Sequence, residues 1–172
     1  MINPHGSSEL QPRFVADPQA RAALAEEARS LPALRLNSAA AANAVMLGAG
    51  YFNPLTGYMN RADALSVAEH MRTRDGLFWP VPVVNFSDDD RIEAGMRIAL
   101  RDPNVDGEPV LAVMEVAAVE TVSDADVEHM AATIFRTTDP QHPGVATFTS
   151  LGRRLLSGPV EVLNFSYFER DF

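Results

Sequence analysis

The stretch Gly50-Tyr51-Phe52-Asn53-Pro54-Leu55-Thr56-Gly57-Tyr58-Met59-Asn60 is the most informative part of this chain. Its two glycines permit backbone angles that other residues avoid, and its proline fixes one further angle. Its bulky apolar side chains give the segment surface to bury: Phe52, Leu55, Tyr58 and Met59. The sequence therefore predicts a shaped, packed loop over residues 50–60, which we call the signature loop. On residue types alone, a structural turn anchored in the core is favoured over a binding loop.

Four further blocks of similar character accompany the signature loop. They are Pro4-His5-Gly6, Asp75-Gly76-Leu77-Phe78-Trp79-Pro80-Val81-Pro82-Val83, Thr137-Thr138-Asp139-Pro140-Gln141-His142-Pro143-Gly144-Val145 and Leu156-Ser157-Gly158-Pro159-Val160. In order and spacing, the five blocks resemble motifs of the N-terminal domain of ATP sulfurylases (sulfate adenylyltransferases). The resemblance runs from Pro4 to about Phe168. The chain departs from the family pattern at Ser7 and Arg136, where glycine is usual, and over residues 39–43, which are nearly all alanine where the family is polar.

The resemblance implies that residues 1–172 form one domain, a PUA-like β pseudobarrel with helices packed at one side. An irregular arm over residues 1–16, rich in polar residues and proline, precedes the first helical pattern. The residues themselves indicate the broader class. Helical patterns come first, and several short strands interrupted by one helix follow, which is typical of an α+β fold.

Capping residues and apolar periodicity predict four helices. They span residues 18–28 after Asp17, 39–47 after Ser38 with Gly48 in a left-handed conformation, 61–72 after Asn60, and a segment after Ser123 that includes Asp126. Runs of branched and bulky residues predict five strands. These cover residues 81–86, 96–101, 110–119, 145–149 and 159–165, and the third is apolar on both alternating faces, as expected of a strand covered on both sides.

The composition excludes several classes of chemistry. The 172 residues include no cysteine and no lysine, so disulfides, thiolate metal sites and lysine chemistry are excluded. A net charge of −9 with scattered arginines disfavours nucleic acid as a partner. No apolar run approaches the roughly 20 residues of a membrane span, and the polar start does not resemble a signal peptide. We therefore expect a cytoplasmic protein with no membrane partner.

The four histidines do not form a helical metal pair, because no two of them are three or four residues apart. His70 and His129 lie off the apolar stripes of their helices, so solvated surface positions are expected for both. His5 lies in a proline-flanked loop. His142 is expected to anchor its loop by hydrogen bonding rather than to take part in catalysis.

Two acidic segments resemble metal-binding sequences, but other residues in each segment argue against a metal site. The sequence Asp102-Pro103-Asn104-Val105-Asp106-Gly107 matches the first half of a calcium loop. The closing carboxylate of such a loop would fall at Val113, and a proline interrupts the loop, so a hairpin turn is the better interpretation. Asp88-Asp89-Asp90 is expected to be a solvated turn, because adjacent like charges repel.

The family's nucleotide and sulfate chemistry belongs to a later domain with the motifs Gln-x-Arg-Asn-Pro, His-x-x-His and Gly-Arg-Asp-His. None of them occurs in these 172 residues, and Gly152-Arg153-Arg154 is not followed by Asp-His. The resemblance therefore assigns no catalytic, cofactor-binding or metal-binding residue to this chain and implies that it binds no cofactor itself. The parent enzyme would use MgATP.

Three hypotheses for function remain open at this stage. In the first, the chain is the non-catalytic domain of an ATP sulfurylase, which forms adenylyl sulfate and pyrophosphate in sulfur metabolism. Its partner would then be its own catalytic domain or a neighbouring subunit of a homo-oligomer. In the second, it is a freestanding or degenerate module with a structural or protein-binding role, including one fused to an adenylyl-sulfate kinase. The third is RNA binding, known for other PUA-like folds and disfavoured here by charge.

Overall fold

Five helices and seven short strands make up residues 2–168, the part of the chain that the computed structural model describes. The helices are α1 (Pro18–Glu27), α2 (Ser38–Gly48), α3 (Arg61–His70), α4 (Asp124–Phe135) and α5 (Pro143–Thr149). The strands are β1 (Ala33–Arg35), β2 (Gly57–Tyr58), β3 (Phe86–Ser87), β4 (Arg97–Arg101), β5 (Val110–Glu115), β6 (Ala118–Thr121) and β7 (Arg154–Val162). None of the helices in this described part is long and apolar enough to cross a membrane.

The sheet is organised around β7, the longest strand. Its order is β1-β4-β5-β7-β2, and β3 and β6 also pair with β7. Residues 154–157 of β7 pair with β6, and residues 160–162 pair with β5. Only β1 and β4 pair in parallel among the named strands of the described chain. The predicted α+β fold, a curled sheet with helices alongside, is confirmed.

The centre of the sheet is covered on both faces. Ala112 and Met114 of β5 join the cluster that contains α2, whereas Val113 joins the cluster formed with Leu24 and Ala28 of the α1 segment. All three β5 residues are essentially inaccessible to solvent. The prediction of a doubly covered strand is therefore confirmed for β5, and the alternation follows from the two-residue period of a strand.

The ends of α2 differ in detail from the prediction. Asn37 is the N-cap, since its side chain accepts a hydrogen bond from the Ala40 amide, and Ser38 is the first helical residue. Gly48 is the last helical residue, and the left-handed glycine is Gly50, with φ +81°. A Cβ on Gly48 would lie 2.8 Å from Val162 Cγ1, so close packing against β7, rather than backbone freedom, requires glycine there.

The predicted strand over residues 145–149 is wrong, because this segment is helix α5. His142 caps the helix and Pro143 occupies its first turn, and both favour a helix start. Phe148 then packs edge-on against Phe86 at 5.9 Å between ring centroids. Local start signals and tertiary packing therefore outweigh the β-branched composition of the segment.

Three other strands have different bounds from those predicted. Residues 81–86 are irregular except at Phe86, because Pro82 lacks the amide that a ladder requires. The single strand over residues 110–119 is interrupted at residues 116–117 and forms β5 and β6. The last strand begins at Arg154 and ends at Val162, earlier than predicted. On α3, the buried residues are Ala64, Val67 and Ala68.

Helices α3 and α4 are joined by one ion pair at their first turns. Arg61 Nη2 lies 2.6 Å from Asp126 Oδ2, and the Asp126 side chain is 23% exposed. The hydrogen bond from Arg61 is the main cause that lowers the pKa of Asp126, with the Ser123 cap contributing. The pair therefore stabilises the fold while the carboxyl is ionised.

We expect Asp126→Asn to lower the free energy of unfolding at pH 7 by about 1 kcal/mol or less, because the pair is partly exposed. The folded-state pKa lies below the ordinary value of 3.8, so the contribution is present above that pH and is lost as pH falls through the lowered pKa. Denaturant unfolding of both proteins across this range checks the prediction. A difference that stays constant as the pH is lowered would contradict it.

Candidate functional site

The signature loop is fixed by the side chain of Asn53, which is 5% exposed. Asn53 Oδ1 accepts a hydrogen bond from the Gln11 amide at 2.9 Å. Its Nδ2 donates to the His5 carbonyl oxygen at 2.9 Å and to Ser7 Oγ at 2.8 Å. One amide side chain thus binds three positions of the N-terminal arm. The arm predicted as irregular has little regular structure but is held against the loop.

The arm also reaches the sheet through backbone hydrogen bonds. The Arg13 and Phe14 amides donate to the carbonyl oxygens of Leu47 and Gly48 at the end of α2. The Val15 amide donates to the Val162 carbonyl oxygen at 3.0 Å. The segment before α1 therefore contributes directly to the packing of α2 and β7.

The third block, residues 75–83, packs against the signature loop and the arm. His5 Nε2 donates to the Phe78 carbonyl oxygen at 2.8 Å. The ring of Trp79 meets that of Phe52 edge-on at 5.5 Å between centroids. The Met59 amide donates to the Val83 carbonyl oxygen at 2.8 Å. Aromatic packing and backbone pairing together join this block to the loop.

The fifth block meets the signature loop at a contact between two glycines. Gly57 pairs with Pro159, and Tyr58 pairs with Gly158. A Cβ on Gly57 would overlap the Gly158 carbonyl oxygen, and a Cβ on Gly158 would overlap that of Glu115. Gly158 also has φ +144°, which favours glycine. The backbones approach this closely because neither residue carries a side chain.

Four of the five blocks therefore form one packed unit, which we call the motif unit: residues 4–6, 50–60, 75–83 and 156–160. The fourth block, residues 137–145, belongs instead to the α4–α5 pair. There His142 Nδ1 accepts a hydrogen bond from the Val145 amide at 3.4 Å, and its ring lies 5.4 Å from that of Phe135. The prediction that His142 anchors its loop is confirmed.

The polar groups of the motif unit are occupied by structural bonds. The Tyr58 hydroxyl donates to the Ala40 carbonyl oxygen at 2.7 Å, and burial raises the pKa of this phenol. His5 is bonded to the Phe78 carbonyl oxygen. These groups hold α2 and the arm in place, and the arrangement is suited to packing rather than to proton transfer.

The other predicted sites have structural roles as well. His70 and His129 are exposed, as predicted. Residues 102–107 form the turn between β4 and β5, closed by a hydrogen bond from the Asp102 amide to the Pro109 carbonyl oxygen at 3.0 Å. Within residues 2–168, no three His, Cys, Asp or Glu side chains converge as a metal site would require.

The aspartate run at residues 88–90 forms the expected turn. The outer two residues are exposed, and Asp89 pairs with Arg91 at 2.6 Å. The hydrogen bond from this guanidinium lowers the pKa of Asp89 to about 2. Arg154 of β7 also stabilises the turn, because its guanidinium donates to the carbonyl oxygens of Asp89 and Ile92.

Large apolar side chains of the signature loop and the arm face solvent. Tyr51 is 60% exposed and Leu10 58%, and the Cβ position of Gly50, which precedes Tyr51, is 3.4 Å from Leu10 Cγ. Phe78 of the third block is 48% exposed. A separate shallow cavity of about 240 Å³ is lined mainly by residues 55–60 of the loop and by residues 157–159 of β7. Rigid, partly apolar surface of this kind is suited to contact with another protein surface.

Comparison with known proteins agrees with this geometry. The family model described as "PUA-like domain" matches residues 2–165, so the chain belongs to the PUA-like domain family. It corresponds to the N-terminal domain of the sulfate adenylyltransferases it matches. It is 58% identical, over its whole length, to the sulfate adenylyltransferase of Alcanivorax borkumensis and to that of Allochromatium vinosum. It spans 43% and 44% of these two relatives, which are therefore more than twice as long.

A solved structure gives the same result for the fold. The hexameric APS kinase from Thiobacillus denitrificans matches 99% of this chain with a TM-score of 0.67 and 30% identity. The match covers 28% of that longer protein. The resemblance that the five sequence blocks indicated is confirmed by the family model and by the sulfate adenylyltransferase relatives.

We expect Asn53→Ala to release the N-terminal arm and to lower the free energy of unfolding by about 1–3 kcal/mol, because the arm loses three hydrogen bonds to one buried side chain. Denaturant unfolding measures the loss, and limited proteolysis reports release of residues 4–11. Asn43→Ala, at a half-buried position of α2, is the matched control. Equal stability of the two variants, with the arm still resistant to protease, would contradict the role of Asn53.

Proposed function

We propose that this chain is the non-catalytic N-terminal domain of a sulfate adenylyltransferase. The observation that carries the proposal is the match of the entire chain to less than half of each such relative, at 58% identity. The parent would join sulfate to the α-phosphorus of MgATP, forming adenylyl sulfate and releasing pyrophosphate. The groups for that chemistry would lie in the remaining part of the parent, which we place in the cytoplasm, where ATP is available.

In this proposal the domain acts as a rigid support. Positioning and charge stabilisation dominate catalysis of phosphoryl transfer, and small displacements reduce the rate. A support must therefore hold its shape, and the motif unit is fixed by Asn53, by the Phe52–Trp79 contact and by the glycine pair. The exposed Leu10 and Tyr51 would contact the catalytic domain or a neighbouring subunit. The hexameric state of the matched APS kinase supports an oligomeric parent.

A second candidate function is a structural module attached to an adenylyl-sulfate kinase. The match to nearly all of this chain within an APS kinase structure favours it. Nucleic-acid binding remains disfavoured, because a net charge of −9 opposes phosphate contacts.

The proposal predicts that the purified 172-residue chain forms no adenylyl sulfate from ATP and sulfate, whereas the longer parent does. Coupled pyrophosphate release measures this difference.

The proposal also predicts that Leu10→Ser with Tyr51→Ser lowers the melting temperature of the parent by at least roughly 2 °C, because buried apolar contact is lost. Calorimetry of the parent and of its double variant measures this change in melting temperature.

The same double substitution in the isolated chain is the control. It should leave the unfolding of that chain within roughly 0.5 kcal/mol, because both side chains are exposed there. Turnover by the isolated chain would refute the proposal. A longer parent that phosphorylates adenylyl sulfate and makes none from sulfate would establish the second candidate instead.

A further inference from the structure

A groove runs along α1 on a part of the domain that the motif unit does not include. It consists of two adjoining cavities of about 310 and 510 Å³ that share Arg21, Leu163 and Asn164 as lining residues. One wall is a single face of α1, at the three- and four-residue spacing of a helix. Its residues are Pro18, Arg21, Ala22, Ala25 and Arg29. The other wall is the segment that follows β7.

The chemistry of the groove differs from that of the domain as a whole. The domain carries a net charge of −9, yet two guanidinium groups line the groove and none of its described lining residues has a carboxylate. Arg21 is held in place, since its Nη1 donates to the Val15 carbonyl oxygen at 2.7 Å and its charge lies 5.0 Å from the centre of the Phe14 ring. Arg29 is 76% exposed and pairs with Glu26 at 2.9 Å.

The floor of the groove is apolar and its end is polar. Leu163 and Val110 belong to the apolar cluster that includes Leu24 of α1, and they line the groove with the small side chains of Ala22 and Ala25. At the far end Ser166 has φ +62°, and its hydroxyl oxygen is buried without a hydrogen-bond partner among the described residues.

The course of the chain suggests what fills the groove. Residues 163–168, with which the described chain ends, form one of its walls, and Tyr167 and Phe168 stack at 4.4 Å while remaining exposed. The related sulfate adenylyltransferases are more than twice as long, so their polypeptide continues past the equivalent of this point. The groove is lined by residues at the end of the described chain, so it lies beside the start of that continuation.

We infer that this groove receives the polypeptide that follows residue 172 in the longer parent. That segment places apolar side chains against Ala22, Ala25 and Leu163, and carboxylates beside Arg21 and Arg29. The inference rests on the proposed function only in requiring a longer parent. It assigns to the groove a docking role separate from that of the motif unit.

Thiol labelling tests the inference, because the chain has no cysteine of its own. Ala25→Cys places a thiol in the groove, and Ala23→Cys places one at an exposed position of α1 outside it. In the 172-residue chain the two thiols should react with a maleimide at similar rates. In the longer parent the thiol at position 25 should react at least about tenfold more slowly, because docking covers it, while that at position 23 is unaffected. Peptide mass spectrometry separates these thiols from others in the parent.

Arg29→Glu in the Ala25→Cys background tests the charge of the docked segment, and it should restore fast labelling of position 25 in the parent. The inference is overturned if position 25 reacts equally fast in both proteins, or if position 23 is protected to the same extent. It is also overturned if Arg29→Glu leaves the protection unchanged. Selective protection of position 25 in a parent without sulfurylase activity would support the groove and contradict the proposed function, so the two failures are distinguishable.

Discussion

The close approach of Gly57 to Gly158 is the constraint on which the rest of this structure depends. It lets β2 lie directly on β7 at the position where the ladder passes from β6 to β5, and side chains at either residue would overlap neighbouring backbone. The sheet curls around this point, and the signature loop is held where Asn53 and Phe52 meet the arm and the third block. The contacts of the signature loop with the arm and with the third block therefore depend on the close approach of these two strands.

The polar side chains of the domain serve mainly to hold its own structure, which is consistent with the proposed role as a support. Its histidines and its buried tyrosine are bonded to backbone or exposed, and its arginines serve mainly to hold loops and helix ends, as Arg154 does for the turn at residues 88–92. What the fold offers to a partner is shape: an exposed apolar surface near Gly50 and a cationic groove along α1. The signature loop pairs with β7 through Gly57 and Tyr58, and the groove is lined by Leu163 and Asn164, which follow that strand.

The sequence was informative where local chemistry determines structure. The caps at Asp17, Asn60 and Ser123 were identified because their side chains bond amides two or three residues away. Segment 145–149 was assigned wrongly because its β-branched residues opposed the start signal at His142. The contacts within the motif unit could not be predicted from sequence periodicity, because residues such as Asn53 and His5 are 48 positions apart. The α1 groove could not be predicted from the sequence, because its second wall comes from the segment after β7, far from α1 along the chain.

Unfolding of Gly57→Ala tests the central role of the glycine crossing most directly. The added methyl group should lower the free energy of unfolding by about 3 kcal/mol and shift the emission of Trp79, the sole tryptophan and 7% exposed, towards that of a solvated ring. Thr56→Ala, at the exposed neighbouring position, should leave both unchanged. A Gly57→Ala protein as stable as its Thr56→Ala control, with the native emission of Trp79, would contradict the account.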